Sequence, residues 1–494
     1  MNSINSISFG TSGHRGIIDK TFTVKQVRCI CAAIGVLLKD ELKPTVVLGY
    51  DPRRGNDERL RENSFTKTVV DTFCSYGISV DVFDTYAPTP VVSWYIQHHQ
   101  LAGGIILTAS HNPPSYNGIK FNPKNGAPAP TTTTAEIESL ANKFWHEGVP
   151  PTALKPATFR YVFAEEAYAE HLKTLIENYS QKPLNFDDLK IAIDGKHGAC
   201  GPLWEMFFAL HKTKSHTLFH TEPLADFGGL EANPTKYSSL KILARHIQDN
   251  GLHLGIANDP DGDRHVVLDE HGSHLTPEET TAIIFNYLKS KGKNIKGIAA
   301  TVATSRLIRQ ICDNHNLDYV ETAVGFKYFA PFLTDCRSTK QIGLAVESSG
   351  GFSTSDHTLE KCGFLPGLLL AQIVLETGLS LSQLKHAIYS EYGPSVFVEE
   401  EFKYRSNQQE TLKTMFSNAD KSSLAVFFDN PISHIDKNDG LKIRFEDGSW
   451  LLMRLSGTEP IARLYAESSE HSNTKSLLKQ AKLSLEKQLS MSPI

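Results

Sequence analysis

Residues 104–120 read Gly104-Ile-Ile-Leu-Thr-Ala-Ser-His-Asn-Pro-Pro-Ser-Tyr-Asn-Gly-Ile-Lys120. The run Gly104-Ile-Ile-Leu107 has the length and character of a buried strand, and the residues after it are turn formers. A hydroxyl, Ser110, is therefore presented at a strand end beside His111, with Lys120 ten residues on. That pattern is poor core material. It suits chemistry in which a hydroxyl carries a group and a neighbour moves a proton.

Working outward, the same plan recurs three times. A β-branched strand and a polar loop open each segment: Thr45-Val-Val-Leu-Gly-Tyr-Asp-Pro-Arg53, Leu189-Lys-Ile-Ala-Ile-Asp-Gly195 and Ile298-Ala-Ala-Thr-Val302. A helix-length stretch leads to a second strand, at Ile78–Phe83, Thr217–Phe219 and Leu317–Val320. A third strand then ends in an unusual loop: Ser110-His-Asn, Asp259-Pro-Asp-Gly-Asp-Arg264 or Glu347-Ser-Ser-Gly-Gly351. Alternating strands and helices predict α/β domains with mixed, largely parallel sheets, whose ligands collect at the carboxyl ends of strands. The three loops are thus expected to face one cleft.

From about Ser395 the pattern changes to strands joined by hairpins, with Asp447-Gly448 as a turn signal, and a terminal amphipathic helix from about Thr474. This predicts a smaller α+β domain. The expected domains span residues 1–155, 156–270, 271–390 and 391–494, and the prolines at 150, 151 and 156 mark the clearest linker.

The chain has 494 residues, 40% hydrophobic and 21% charged, enough for several cores. A net charge of −5 gives no reason to expect nucleic acid or an anionic membrane as partner. Seven scattered cysteines lack zinc-site spacing and read as buried thiols. With no signal-like N-terminus and no apolar span of membrane length, a cytoplasmic location is expected.

Asp259, Asp261 and Asp263 place three carboxylates at alternate positions, which a turn can aim at one hard divalent cation. The spacing invites comparison with an EF-hand, but Arg264 stands where that loop needs glycine, and the flanks read as strands. A magnesium site with an incomplete shell fits better. Arg454-Leu-Ser-Gly-Thr-Glu-Pro460 with Arg463 reads as an anion cradle, with donors from Ser456, Thr458 and the backbone at Gly457. It lacks the ending of a nucleotide P-loop, and Ser110 is not in a Gly-x-Ser-x-Gly elbow. Thr11-Ser-Gly-His-Arg-Gly16 offers Arg15 to a phosphate, with glycines that would let backbone approach a ligand.

Taken together, Thr108-Ala-Ser-His-Asn-Pro-Pro114 and Asn258-Asp-Pro-Asp-Gly-Asp-Arg264, with the N-terminal and Arg454–Pro460 motifs in order, resemble the α-D-phosphohexomutases. Within that family the chain is most similar to phosphoglucomutase and phosphoglucomutase/phosphomannomutase enzymes. The resemblance implies three similar α/β domains and a smaller C-terminal domain around a central cleft. It implies that Ser110 carries a phosphoryl group, and that Asp259, Asp261 and Asp263, with a phosphate oxygen on Ser110, hold Mg²⁺. Arg15, Lys120 and His111 match positions for proton transfer or its support. Glu347 and Ser349 match the sugar-hydroxyl loop. Val324-Gly-Phe-Lys-Tyr328 (hence Gly325, Phe326 and Lys327) matches a loop that distinguishes sugar orientations. Arg264 belongs to the metal motif and is expected at the substrate. Arg454, Ser456, Gly457, Thr458 and Arg463 match the phosphate loop.

The implied reaction interconverts glucose 1-phosphate and glucose 6-phosphate through a hexose 1,6-bisphosphate, with mannose phosphates as further substrates. Rival readings are a phosphomannomutase or phosphoglucosamine mutase of the same fold, a metal-dependent sugar phosphatase, and a silent sugar-phosphate sensor. The expected partners are small hexose phosphates, with no nucleic acid and no membrane, and the expected assembly is a monomer or weak homodimer. Departures from the family pattern are Cys362 in Lys361-Cys362-Gly363, Ala300, Ser348 and Leu455. They bear on sugar preference and rate rather than on reaction class.

Overall fold

The structure is a computed structural model that describes residues 6–152, 157–211, 215–456 and 460–491, with backbone alone for Tyr237 and Met491. It resolves into two compact units, Met1–Gly297 with Gly325–Leu384, and Ile298–Val324 with Lys385–Ile494.

In the first unit a six-stranded sheet is built from β1 (His14–Ile17), β2 (Thr45–Tyr50), β3 (Ser79–Phe83), β4 (Gly103–Leu107), β5 (Tyr116–Pro123) and β6 (Phe159–Val162). Its order is β1-β5-β4-β2-β3-β6. Strands β4, β2, β3 and β6 run parallel, while β5 returns antiparallel beside β4 and carries β1 on its other edge. Alternation decides what is buried: Val46, Leu48, Ile105 and Leu107 share one core with Val27, Ile30 and Ile34 of the helix Val24–Leu38 and with Val69 and Phe73 of Phe65–Ser75. Those helices start where the sequence supplies caps, a Thr23–Gln26 capping box and Ser64.

The second sheet repeats the plan. Strands β7 (Ile191–Asp194) and β8 (His216–Phe219) are parallel, as are β7 and β9 (Leu254–Asn258). The hairpin strand β10 (His265–Leu268) and the short β11 (His274–Leu275) complete the order β11-β10-β9-β7-β8. Further along, strand Ile342–Val346 pairs antiparallel with Phe352–Thr354. The expected strand at each repeat position is present, and the Ser110, Asp259 and Glu347 loops each follow the third strand.

A chain of buried polar groups joins the helix Glu165–Ser180 to the loop after Thr354. His171 Nε2 lies 3.0 Å from His357 Nδ1, the Tyr168 hydroxyl 3.1 Å from His357 Nε2, and Cys362 Sγ 3.4 Å from that hydroxyl. Cys362, one of the departures from the family pattern, is thus turned toward aromatic packing. Burial first, then His98 and Arg337, pushes His171 down to about 4, and His357 is lowered by burial, His171 and Arg337. Both are neutral when folded. Between the unfolded value near 6.5 and pH 4 the unfolded chain binds protons that the native chain does not. Stability is therefore full above pH 6.5 and lost as pH falls, by about 2–3 kcal/mol from His171. The urea midpoint should drop between pH 7.5 and pH 5, and His171→Phe should flatten that drop; parallel pH profiles for the two proteins would refute the assignment.

The second unit contains a five-stranded antiparallel sheet in which Val396–Lys403, Ile461–Ser468, Trp450–Leu455, Leu441–Phe445 and Ile432–Asp436 are successive neighbours. Asp447 and Gly448 turn the hairpin between Phe445 and Trp450 as expected. Helices Gln409–Asn418 and His471–Met491 contribute Leu412, Phe416, Leu478 and Leu485 to its core. A fully buried carboxylate, Glu467, gathers Ser305 Oγ, Arg306 N, Ser395 Oγ and Trp450 Nε1 at 2.5–2.8 Å. Those donors fix segment 298–324 to this sheet.

None of the seven cysteines is in a disulfide, and six are buried. Among the described residues no single helix is long and apolar enough to cross a membrane.

Candidate active site

Ser110 leaves β4 in a left-handed conformation, φ 52°, which a residue with a Cβ adopts at a cost. Its side chain is 1% exposed, and Oγ donates to Asp259 Oδ2 at 2.8 Å, with His111 Nδ1 at 3.3 Å. The serine loop and the aspartate loop therefore meet directly, 149 residues apart in sequence.

The aspartates lie on the turn between β9 and β10, at most 1% exposed, with ligand oxygens all within 4.8 Å of one another. Gly262, φ 66°, makes that turn; a Cβ there would stand 2.8 Å from Cys200 Sγ. Three close carboxylates repel, so the site needs cations. Lys120, carried in by β5, reaches Asp261 at 2.6 Å and Asp263 at 2.9 Å, and Lys361 reaches Asp263 at 3.1 Å. Burial works against the Lys120 ammonium, yet Asp261, Asp263 and Glu360 hold its pKa above the ordinary value. Lys120, Lys361 and Arg264 likewise hold Asp263 far below the carboxylate range despite burial. Asp259 is raised instead, by burial and by Asp261 and Asp263.

Asp261 Oδ1 and Asp263 Oδ1 remain buried with no hydrogen-bond partner. Orphaned anionic oxygens beside a third carboxylate fit a hard divalent cation, which takes oxygen ligands and supplies the missing charge.

Arg15 sits on β1 and donates to Ala109 O at 3.1 Å and Asn112 Oδ1 at 2.7 Å, so it joins the serine loop. A Cβ on Gly13, φ 86°, would lie 2.4 Å from Ile119 O, so glycine there lets the motif pack closely against β5.

Glu347 is 6% exposed, and its carboxyl is raised by burial against the pull of Lys361 and Arg264. Its turn closes through Gly351 and Glu347 backbone bonds, with Ser349 partly exposed. A Cβ on Gly351 would touch both the Lys361 side chain and Glu347 Oε2, so Lys361 lies between the metal and sugar loops. Arg264 is 19% exposed, and its Nε lies 3.9 Å from Asp263 Oδ1 without a hydrogen bond. Gly325 (φ 140°) lies against Thr11, Phe326 is buried, and Lys327 lies 5.3 Å from the Tyr328 ring.

Arg454 and Arg463 belong to the second unit and face each other across adjacent strands. Asp439 holds Arg454 at 2.9 Å, and Glu399 holds Arg463 at 3.1 Å. Like charges directly opposite are unfavourable and suit an anionic ligand. Ser456 N bonds Ile461 O at 2.9 Å, closing the loop; Gly457 and Thr458 lie outside the described residues.

The sequence reading did not single out several contributors. Lys361 was noted only as part of a changed motif. Thr89, whose hydroxyl donates to Asp261 at 2.9 Å, Glu360 and Arg53 carried no local signal of a role.

A buried serine bonded into a carboxylate triad, with lysines and arginines about it, is suited to metal-assisted phosphoryl transfer. Comparison with known proteins narrows this class. Family models for phosphoglucomutase/phosphomannomutase α/β/α domains I, II and III match residues 6–145, 166–272 and 276–392, and the model for the C-terminal domain matches 405–483. A phosphoglucomutase/phosphomannomutase of Thermococcus kodakarensis is 27% identical over 95% of this chain and 96% of its own. A phosphoglucosamine/phosphogalactosamine mutase of Sulfurisphaera tokodaii is 26% identical over 96% and 98%. Among solved structures, the Paramecium phosphoprotein pp63/parafusin, a phosphoglucomutase, superposes with a TM-score of 0.77 at 22% identity, covering 99% of this chain and 96% of that one. The chain belongs to the phosphoglucomutase/phosphomannomutase family, the α-D-phosphohexomutases, and is a phosphohexomutase, an isomerase that acts by intramolecular phosphotransfer.

Proposed function

We propose that this phosphohexomutase interconverts glucose 1-phosphate and glucose 6-phosphate, accepting mannose phosphates more slowly, with phosphorylated Ser110 as carrier. The observation that carries this reading is Ser110 Oγ, buried, left-handed and 2.8 Å from Asp259. Asp259, Asp261 and Asp263 would hold Mg²⁺, which supplies charge to a phosphoryl group in transfer. Lys120, bonded to Asp261 and Asp263, and Arg15, bonded to the serine loop, would hold or move the proton of the attacking hydroxyl. Glu347 and Ser349 would bind sugar hydroxyls, and Lys327 and Arg264 the substrate's charge. Arg454, Arg463 and Ser456 would bind the phosphate that is not reacting.

In this reading the Ser110 Oγ–P bond breaks as a bond from phosphorus to a sugar oxygen forms, giving a hexose 1,6-bisphosphate. The reverse step, from the other phosphate, recharges the serine. A burial of 99% at Ser110 favours transfer to sugar over transfer to water, which weighs against a phosphatase. Seven thiols outside any disulfide suit a cytoplasmic setting.

The name of the Thermococcus relative supports glucose and mannose as substrates, and that of the Sulfurisphaera relative keeps glucosamine phosphate as the second reading. The test compares kcat/KM for glucose, mannose and glucosamine 1-phosphates, with a trace of the matching bisphosphate to charge the serine. Glucose should lead by about tenfold, the scale on which one hydroxyl contact discriminates; a higher value for glucosamine phosphate would replace the reading.

A further inference from the structure

We infer that Arg53 is a positioning residue for phosphoryl transfer, fixing the backbone of Ser110 so that its hydroxyl is aimed at the metal carboxylates. The inference rests on the phosphoserine reading above.

Arg53 is fully buried at the end of β2, two residues after Asp51. Its Nε binds Asp51 Oδ2 at 2.9 Å. Its other donors all go to carbonyls of one loop: Nη1 to Pro113 O at 2.7 Å and Tyr116 O at 2.9 Å, Nη2 to Ser110 O at 2.5 Å and Asn112 O at 2.7 Å. The loop thus wraps around a single guanidinium, whose five N–H groups are each used. One of the four carbonyls is that of Ser110 itself. Holding it sets the peptide plane that follows the left-handed residue, and with it the direction of Oγ. Asp51 adds a second hold, because Thr108 Oγ1 donates to its Oδ2 at 2.6 Å and also accepts from Ser110 N at 2.8 Å. Phe227, fully buried, covers the guanidinium with its ring centroid 4.8 Å away.

The second sheet provides an internal control. At the end of β7, Lys196 repeats the relation to Asp194: N to Oδ1 at 3.0 Å and Nζ to Oδ2 at 2.8 Å, against 3.1 and 2.9 Å for Arg53 and Asp51. Lys196 then spends its ammonium on Ser239 O. A lysine therefore suffices to brace this strand end. What the first sheet adds is the four-carbonyl grip on the serine loop, and only a guanidinium has the donors and fork geometry for it.

Arg53→Lys keeps the charge and the brace but loses the grip. The expected result is a fall in kcat of about a hundredfold with KM within about threefold, since a small misplacement of a reacting atom has that effect. Incubation with glucose 1,6-bisphosphate, followed by intact mass, should show Ser110 charging slowed by a similar factor. The melting temperature and its Mg²⁺-dependent rise should stay near those of the parent protein. An unchanged kcat, or a change confined to KM or to melting temperature, overturns the inference. Should Arg53→Lys fail to fold, Phe227→Leu decides: a selective fall in kcat of about tenfold supports the inference, and an unchanged kcat overturns it. Ser110→Ala is run alongside. Activity retained there removes the phosphoserine reading itself, whereas a dead Ser110→Ala beside a fully active Arg53→Lys removes only the role of Arg53.

Discussion

Replacing Ser110 with alanine is expected to lower turnover by about 10⁴-fold or more while the protein remains folded, because the variant lacks the hydroxyl that would carry the phosphoryl group. The neighbouring hydroxyls are already committed: Thr108 to Asp51 and Thr89 to Asp261. Alanine keeps the Cβ and tolerates the left-handed backbone no worse than serine does. It leaves Asp259 Oδ2 without its donor, a loss of about 1–3 kcal/mol if nothing replaces it. Intact mass after incubation with glucose 1,6-bisphosphate should rise by one phosphoryl group in the parent protein and not in the variant. Mutase activity within tenfold of the parent would end the phosphoserine reading, whatever the mass shows.

The second large effect is on metal removal. The triad's three buried carboxylates have Lys120, Lys361 and, at 3.9 Å, Arg264 near them, and Asp261 Oδ1 and Asp263 Oδ1 have no hydrogen-bond partner. Exhaustive chelation should silence turnover by about 10³-fold, the scale of losing the principal charge stabilisation at a transferring phosphoryl group, and Mg²⁺ should restore it fully. A readout independent of activity follows from linkage. At a Mg²⁺ concentration of about 100 times Kd the folded chain gains about 2.7 kcal/mol, so the melting temperature should rise with Mg²⁺. Asp261→Asn should abolish that rise. Rates that survive chelation unchanged, or a melting temperature indifferent to Mg²⁺ in the parent protein, would remove the metal from the triad.

Much of this candidate site is legible in the sequence. The loops at Ser110, Asp259 and Glu347 announced themselves because a strand of apolar residues ended abruptly in groups that a core cannot hold. That signal is local, and so it survives in one dimension. The α/β repeats and the hairpin-rich last domain were legible for the same reason, since periodicity and turn residues act over a few positions. Less visible was the use to which neighbouring residues are put. The glycines of the N-terminal motif read as room for a ligand, and the sequence gives no sign that Gly13 also makes room for β5. Cys362 looked like a change beside the sugar loop, and its sulfur is turned to Tyr168.

By itself the sequence determined which groups could react and in what order along the chain: a serine, an aspartate triad, a carboxylate loop and an arginine cradle, each at a strand end. Tertiary structure decided which of them meet. Ser110 finds Asp259 across 149 residues, Lys120 finds Asp261 across 141, and Arg53 finds the Ser110 carbonyl across 57. The reason is physical. A turn is specified by the conformational preferences of a few adjacent residues, whereas these contacts depend on how sheets and helices pack, and burial makes each lone charge costly until a distant partner is brought to it.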